Sequence, residues 1–485
     1  MSVLDRNLSC LMNIVRRSTE LRSKNYNEQD DAKIYDFIAI GLGPFNLGLA
    51  ALTSTLDKVN CLFLDERSEF DWHPGLMIEG VHLQTPFLSD LVTLADPTHP
   101  LSFLNYIKKQ GRIYSFYIRE DFFLLREEYN RYCQWAAQTM NHIQWCQRVE
   151  AVVYNDELSC YEINVRDTND HNTQYFYAKK LVLGTGPQPN WPAFLDQLIA
   201  DNRHVFHSGD YLSRKTDLQQ QKNITVIGSG QSAAEIFYDL LQNIDNFDYT
   251  LNWCTSSPRF YPLEYTKLTL EMTSPEYVDY FHALPSDHRT HLLEKQNNLY
   301  KGINSALINE IYDLLYTKRL KMDRRKKQLD VNIFSNSRMH DAVQEMDSVL
   351  LDFHHTEQYK SFQIRTQGVA LCTGYQYREP AFLRPIQSRI LYNKNNKFDV
   401  HRNYSIDIRG REIFVQNAEL HSHGFVTPDL GMACYRNSKI IKEITGIEYY
   451  PIEERIAFQD FGVPISAEET ALGQTVPAES YFEQV

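Results

Sequence analysis

Two glycine-rich turns constrain this chain more than any other feature. Each follows a short apolar run that reads as a β-strand, and each opens a helix. The first is Ile38-Ala39-Ile40-Gly41-Leu42-Gly43-Pro44-Phe45-Asn46; the second is Thr225-Val226-Ile227-Gly228-Ser229-Gly230-Gln231-Ser232-Ala233. Glycines at such a turn make the tight bend and let backbone approach a pyrophosphate, whose charge then faces the helix N-terminus. One turn of this kind suggests one dinucleotide. Two in one chain suggest a flavin and a nicotinamide held face to face, and hence redox chemistry.

A chain of 485 residues is too long for one core and suits roughly two or three domains. Its formal net charge of −13 argues against a nucleic-acid partner and favours, weakly, a cationic small molecule. The eight cysteines are scattered, with no C-x-x-C pair, as in a reduced, cytoplasmic protein without a disulfide framework or a metal site. No segment approaches the roughly 18 apolar residues of a membrane span. The apolar stretch Leu8 to Val15 precedes Arg16-Arg17, the reverse of the order in a secretory signal.

The pattern predicts an α/β chain with two Rossmann-like dinucleotide-binding domains and a small helical region over the substrate. Residues 1–30 read as a leader. A first β-α-β unit then starts at Ile34, with its helix from Asn46 to Leu56 and its second strand from Val59 to Leu64. That strand ends in Asp65-Glu66-Arg67, where a carboxylate can accept hydrogen bonds from a ribose hydroxyl pair. The flavin domain is expected over 31–205 and 368–446, interrupted by a nicotinamide domain over 206–367. Within the insertion, 262–320 is helical in pattern, with a cap at Ser274-Pro275-Glu276. The acidic tail, 447–485, lacks a clear period.

The third glycine position is Asn46 in the first turn and Ala233 in the second. The strand after the second turn, Tyr249 to Cys254, ends in no carboxylate; Ser256, Ser257 and Arg259 follow. Hydroxyls and a guanidinium suit a 2′-phosphate, so NADPH is preferred over NADH.

These turns sit among further segments: Glu66-Arg67, Phe70-x-Trp72-His73, Leu83-Gln84-Thr85-Pro86-Phe87, Asp90-Leu91-Val92-Thr93, Phe103-Leu104-Asn105-Tyr106, Phe206-His207-Ser208, Cys372-Thr373-Gly374-Tyr375 and His423-Gly424. In this order the set, from about residue 34 to 446, resembles the flavin-dependent N-hydroxylating monooxygenases of siderophore biosynthesis. The resemblance implies FAD in the first site, NADPH in the second, and oxygen transfer from a C4a-hydroperoxyflavin, made with O₂, to a neutral primary amine. It places Gly41, Gly43, Asn46, Glu66, Trp72, His73 and Gln84 at FAD, and Gly228, Gly230, Gln231, Ser232 and Arg259 at NADPH. Thr373 and Gly374 join the cofactor set, and Gln84 falls near the flavin ring. No dedicated catalytic base is required, because desolvation alone moves an amine from its ordinary pKa near 10.4 toward the neutral form. His73, His207 and His423 are expected to be structural. The resemblance also implies a homo-oligomer, tetramer or dimer.

The chain departs from the amino-acid hydroxylases of that family where their substrate carboxylate and α-amine are held. Their lysine aligns with Ser89, their asparagine with Leu270, and their serine with Gly431. A carboxylate buried without a cation loses its charge-assisted hydrogen bonds. The expected substrate is therefore an aliphatic diamine, putrescine or cadaverine, with L-lysine, L-ornithine or histamine as the alternative. Glu264, Glu271 and Asn298 on the helical region are the expected partners of the distal ammonium. A disulfide reductase needs a cysteine pair that this sequence lacks. A Baeyer–Villiger or sulfoxidising flavin monooxygenase is separated by its product.

Overall fold

A computed structural model describes residues 33–453 and 455–463. The expected leader, and the tail beyond 463, lie outside the described residues.

The first glycine turn is built as β1 (Ile34–Ile40), α1 (Pro44–Thr53) and β2 (Cys61–Leu64), with β1 and β2 parallel. Helix α1 starts two residues before the expected Asn46 because proline, lacking an N–H, is at home in a first turn. Seven strands form this sheet, with β1 at its centre between β2 and the long strand Thr173–Leu183. The strands Gln147–Asn155 and Cys160–Asp167 extend it antiparallel, and Ile413–Val415 returns to pair parallel with Leu181–Leu183. The buried run Phe37–Ile40 carries apolar side chains on both faces, as a strand covered on two sides must.

The second turn lies in a separate five-stranded sheet, parallel throughout. Its strands in spatial order are Val205–His207, Gly368–Leu371, Asn223–Ile227, Thr250–Cys254 and Val331–Phe334. Gln231–Asn243 is the helix that follows the glycines. An antiparallel three-stranded sheet, Ser337–Glu345, Ser348–His355 and Lys360–Thr366, follows in the chain.

One boundary is corrected here. The strand at Gly368, expected to resume the first domain, pairs on both sides within the second sheet. A continuous apolar strand suits the centre of either parallel sheet, and sequence alone does not say which. The chain rejoins the first sheet only at Ile413.

The region 262–320 is helical: Lys267–Leu270, Pro275–Ala283, Ser286–Lys295, Asn297–Tyr300 and Ser305–Arg324. Ser274 caps the second of these, its hydroxyl accepting from the Tyr277 N–H at 3.2 Å. The start of the tail lies along this region, where Glu276 accepts from the N–H groups of Ile456 and Ala457. No helix among the described residues is long and apolar enough to cross a membrane.

Two glycines bring the sheets together. A Cβ on Gly75, after β2, would lie 1.7 Å from the Gly209 carbonyl oxygen, after Val205–His207. Only hydrogen fits between those two backbones.

Candidate functional site

The first glycine turn and the start of the helix after the second, at Gln231 and Ser232, border one cleft, of about 1970 Å³. At the first, Gly41 has φ +84°, and a Cβ there would fall 2.7 Å from the Gly184 carbonyl oxygen. A Cβ on Gly43, by contrast, would meet nothing within 4 Å. Gly43 is the N-cap of α1 and brings no capping side chain. The first-turn N–H groups therefore look onto open cleft, the arrangement that receives a phosphate. At the second turn a Cβ on Gly228 would lie 2.4 Å from the Cys372 carbonyl oxygen, while one on Gly230 would meet only the Lys301 carbonyl oxygen at 3.6 Å. The residues present thus fit a dinucleotide at each turn.

Asn46 stands behind the first turn, not on it. It is fully buried; its amide donates to the Gly41 carbonyl at 2.6 Å and its oxygen accepts from Gln416 at 2.6 Å. It fixes the turn's shape. At the end of β2 the two carboxylates divide their tasks. Asp65 is buried and accepts from the Leu42 N–H at 2.6 Å and from the Arg67 N–H and Nε, each at 2.9 Å. Glu66 is left on the cleft border, paired at 2.8 Å with Arg148.

Trp72, His73 and Gln84 line the cleft. His73 has φ +53°, and its ring packs against Trp72 and Tyr375. Burial among these groups, and then the Arg126 guanidinium, hold it down to about 4 although its edge opens on the cleft. The ring is neutral near pH 7. The Gln84 amide donates to Gln231 at 3.3 Å and to the Gly302 carbonyl at 3.2 Å. Gln231 in turn donates to Glu235 at 2.9 Å, and Arg126 grips both oxygens of Glu235 at 2.9 and 2.7 Å. This chain of contacts runs from the strand His82–Pro86 to the helix that follows the second turn. Sequence reasoning missed Arg126 and Glu235, because their meeting depends on how two distant helices pack.

Gln231, Ser232, Thr373 and Gly374 also line the cleft; Gly228, Gly230 and Arg259 do not. The Arg259 guanidinium lies over the Tyr261 ring, 4.6 Å from its centre. His207 accepts from the Gly209 N–H through Nδ1 and faces the Gly374 carbonyl through Nε2 at 2.9 Å. His423 contacts Ser422 and the Arg402 carbonyl and stacks on Tyr404.

Ser89, Leu270 and Gly431 line the same cleft. Ser89 sits beside Asp90, whose carboxylate receives the N–H groups of Val92, Thr93 and Phe103 and fixes the loop. A Cβ on Gly431 would lie 3.4 Å from the Ser89 hydroxyl and 3.2 Å from an Asp429 carboxylate oxygen. Asn298 falls outside the lining; its amide reaches Glu264 at 3.5 Å. Glu264 is on the lining but exposed. Glu271 is engaged elsewhere, accepting from the N–H groups of Phe458 and Gln459 in the tail. Among the described residues no cluster of His, Cys, Asp or Glu is arranged for a metal.

Two glycine turns of the dinucleotide-binding kind, with no cysteine on the cleft lining among the described residues, fit the two-dinucleotide class of flavin enzymes. The family model for L-lysine 6-monooxygenase/L-ornithine 5-monooxygenase matches residues 33–377, and the chain belongs to that family. It is 51% identical over 431 residues to a putrescine N-hydroxylase of Shewanella oneidensis, covering 89% of this chain and 85% of that one. A putrescine N-hydroxylase of Acinetobacter baumannii is 43% identical over 428 residues, with 88% and 94% covered. The FAD-bound crystal structure of DfoA, the cadaverine monooxygenase of desferrioxamine biosynthesis in Erwinia amylovora, superposes with a TM-score of 0.86 at 56% identity, covering 89% of this chain and 99% of that one.

Proposed function

We propose that this enzyme N-hydroxylates one terminal amine of an aliphatic diamine, putrescine or cadaverine, for a hydroxamate siderophore, using FAD, NADPH and O₂. The observation that carries the reading is the cleft wall at Ser89, Leu270 and Gly431: none of the three offers a cation to a substrate carboxylate. The diamine hydroxylases of Shewanella, Acinetobacter and Erwinia support it.

In this reading the first cradle holds FAD. Gly41 and Gly43 would let backbone approach its pyrophosphate, Glu66 would accept from the ribose, and Trp72, His73, Gln84, Thr373 and Gly374 would line the remainder. The second turn would hold NADPH through Gly228, Gly230, Gln231 and Ser232, with Arg259 available to a 2′-phosphate. The two domains are the two sheets with their helices, the second inserted in the first. Bound and reduced, the flavin supplies the oxygen-activating chemistry. The protein's tasks are to orient the amine, exclude water and favour the uncharged nitrogen by desolvation.

The same reading places the enzyme in the cytoplasm, where NADPH is available. Self-association is supported by Tyr114, Tyr117 and Ile118 on the short helix Ile113–Arg119, which are 78%, 71% and 74% exposed.

The test is steady-state turnover, scored as hydroxylamine formed per NADPH, across putrescine, cadaverine, histamine, L-lysine and L-ornithine. A diamine is expected to show the highest kcat/KM. Preference for lysine or ornithine would overturn the proposal.

A further inference from the structure

Diamine chemistry leaves one question open in this cleft: what holds the end that does not react. At neutral pH that end is an ammonium, and a desolvated ammonium needs a carboxylate or several neutral acceptors. The acids on the helical region are poorly placed. Glu271 is occupied by the tail, and Glu264 is exposed on the border.

Asp429 is placed differently. It precedes Leu430-Gly431 at the cleft wall, half-buried, and lines the same cavity as Ser89 and Leu270. One carboxylate oxygen accepts from the Gly431 N–H at 2.7 Å. Among the described residues no lysine, arginine or histidine forms an ion pair with it; the nearby buried arginine, Arg436, pairs with Glu419 at 3.1 Å. The Asp429 oxygen and the Ser89 hydroxyl flank the space left by the missing side chain of Gly431, at 3.2 and 3.4 Å from where its Cβ would lie. Aromatic side chains, Tyr265, Tyr300 and Phe425, line the cavity with them. Desolvation in this wall raises the Asp429 carboxyl above its ordinary value, with the Gly431 N–H and Arg436 pulling the other way. A cation in the cleft would relieve that burial.

We propose that Asp429, assisted by Ser89, is the acceptor for the distal ammonium and so the specificity-determining residue of the diamine site. The assignment rests on the reading of the enzyme as an amine hydroxylase. It gives the glycine at 431 a purpose: a larger side chain there would crowd the carboxylate. It also adds repulsion to the missing cation, since Asp429 opposes a substrate carboxylate as well as attracting an ammonium.

The experiment compares each diamine with the n-alkylamine of equal chain length, which lacks the second nitrogen. In the wild type kcat/KM for the diamine should exceed that for the monoamine by about 10- to 100-fold, the range of a charge-assisted hydrogen bond. Asp429→Asn keeps an oxygen for the Gly431 N–H and removes the charge. It should raise the diamine KM by a similar factor, bring the diamine-to-monoamine ratio near one, and leave kcat within about twofold. A ratio unchanged in Asp429→Asn means that the residue only caps its turn, and overturns the assignment. Should that variant not fold, a wild type that treats diamine and monoamine alike overturns it equally. A wild type that hydroxylates no amine fails the broader reading instead.

Discussion

Gly41 shows how one missing atom sets up a binding site. Its φ of +84° lies in the left-handed region, and a Cβ would press on Gly184 at 2.7 Å. Gly41→Ala is therefore expected to add about 1–2 kcal/mol of backbone strain before any steric term, and to be purified largely without flavin. The ratio of flavin to protein absorbance, read with the melting temperature, checks this; a yellow, fully loaded variant of normal stability would refute it. The glycines were legible in the sequence because the turn dictates them. The division of labour between Asp65 and Glu66 was not: adjacent carboxylates look alike until one is seen to accept from Leu42 and Arg67. Asn46 shows a role its sequence position did not reveal. Its place in the fingerprint suggested contact with the cofactor, and the fold adds that its buried side chain holds the Gly41 carbonyl. Asp429 carried no sequence signal at all, since its value depends on the space Gly431 leaves.

Among elements, the helix Arg126–Thr139 of the first domain and Gln231–Asn243 of the second are joined by the Arg126–Glu235 pair, whose side chains are 12% and 1% exposed. Breaking a buried pair strands a charge, at about 3–5 kcal/mol. Glu235→Gln is expected to lower the melting temperature. Through Gln231 and Gln84 it should also slow anaerobic flavin reduction by NADPH more than it weakens FAD binding. Stopped-flow reduction beside flavin titration separates the two effects, and equal losses in both would count against a role for the Gln84–Gln231–Glu235 contacts in flavin reduction. The two strand-turn-helix units were readable from apolar runs and glycines. The partner of the strand Gly368–Leu371 was not, because a fully buried parallel strand carries no mark of the sheet it joins.

For the whole molecule, FAD would occupy a cleft that both sheets border, so its loss should loosen both. Saturation at about 100 times the dissociation constant stabilises by about 2.7 kcal/mol. Stripping the flavin is expected to lower the melting temperature by several degrees, and adding FAD back should restore it in a concentration-dependent way. A melting curve indifferent to FAD would argue that the cradle is not built around it. At this scale the sequence was informative about class and cofactors and silent about the tail, whose backbone at Ile456 to Gln459 is held by Glu276 and Glu271. Neither glutamate differs in pattern from a solvated helix acid.

The meeting of Gly75 with Gly209 sets a gauge for the enzyme. Since main chain abuts main chain there, peptide groups register the spacing between the two glycine turns beside the Arg126–Glu235 pair, and exposed side chains on either surface do not enter it. Drift across the exterior can retune solubility or association while that spacing stays put. A single methyl group inserted at Gly75 would act as a wedge there.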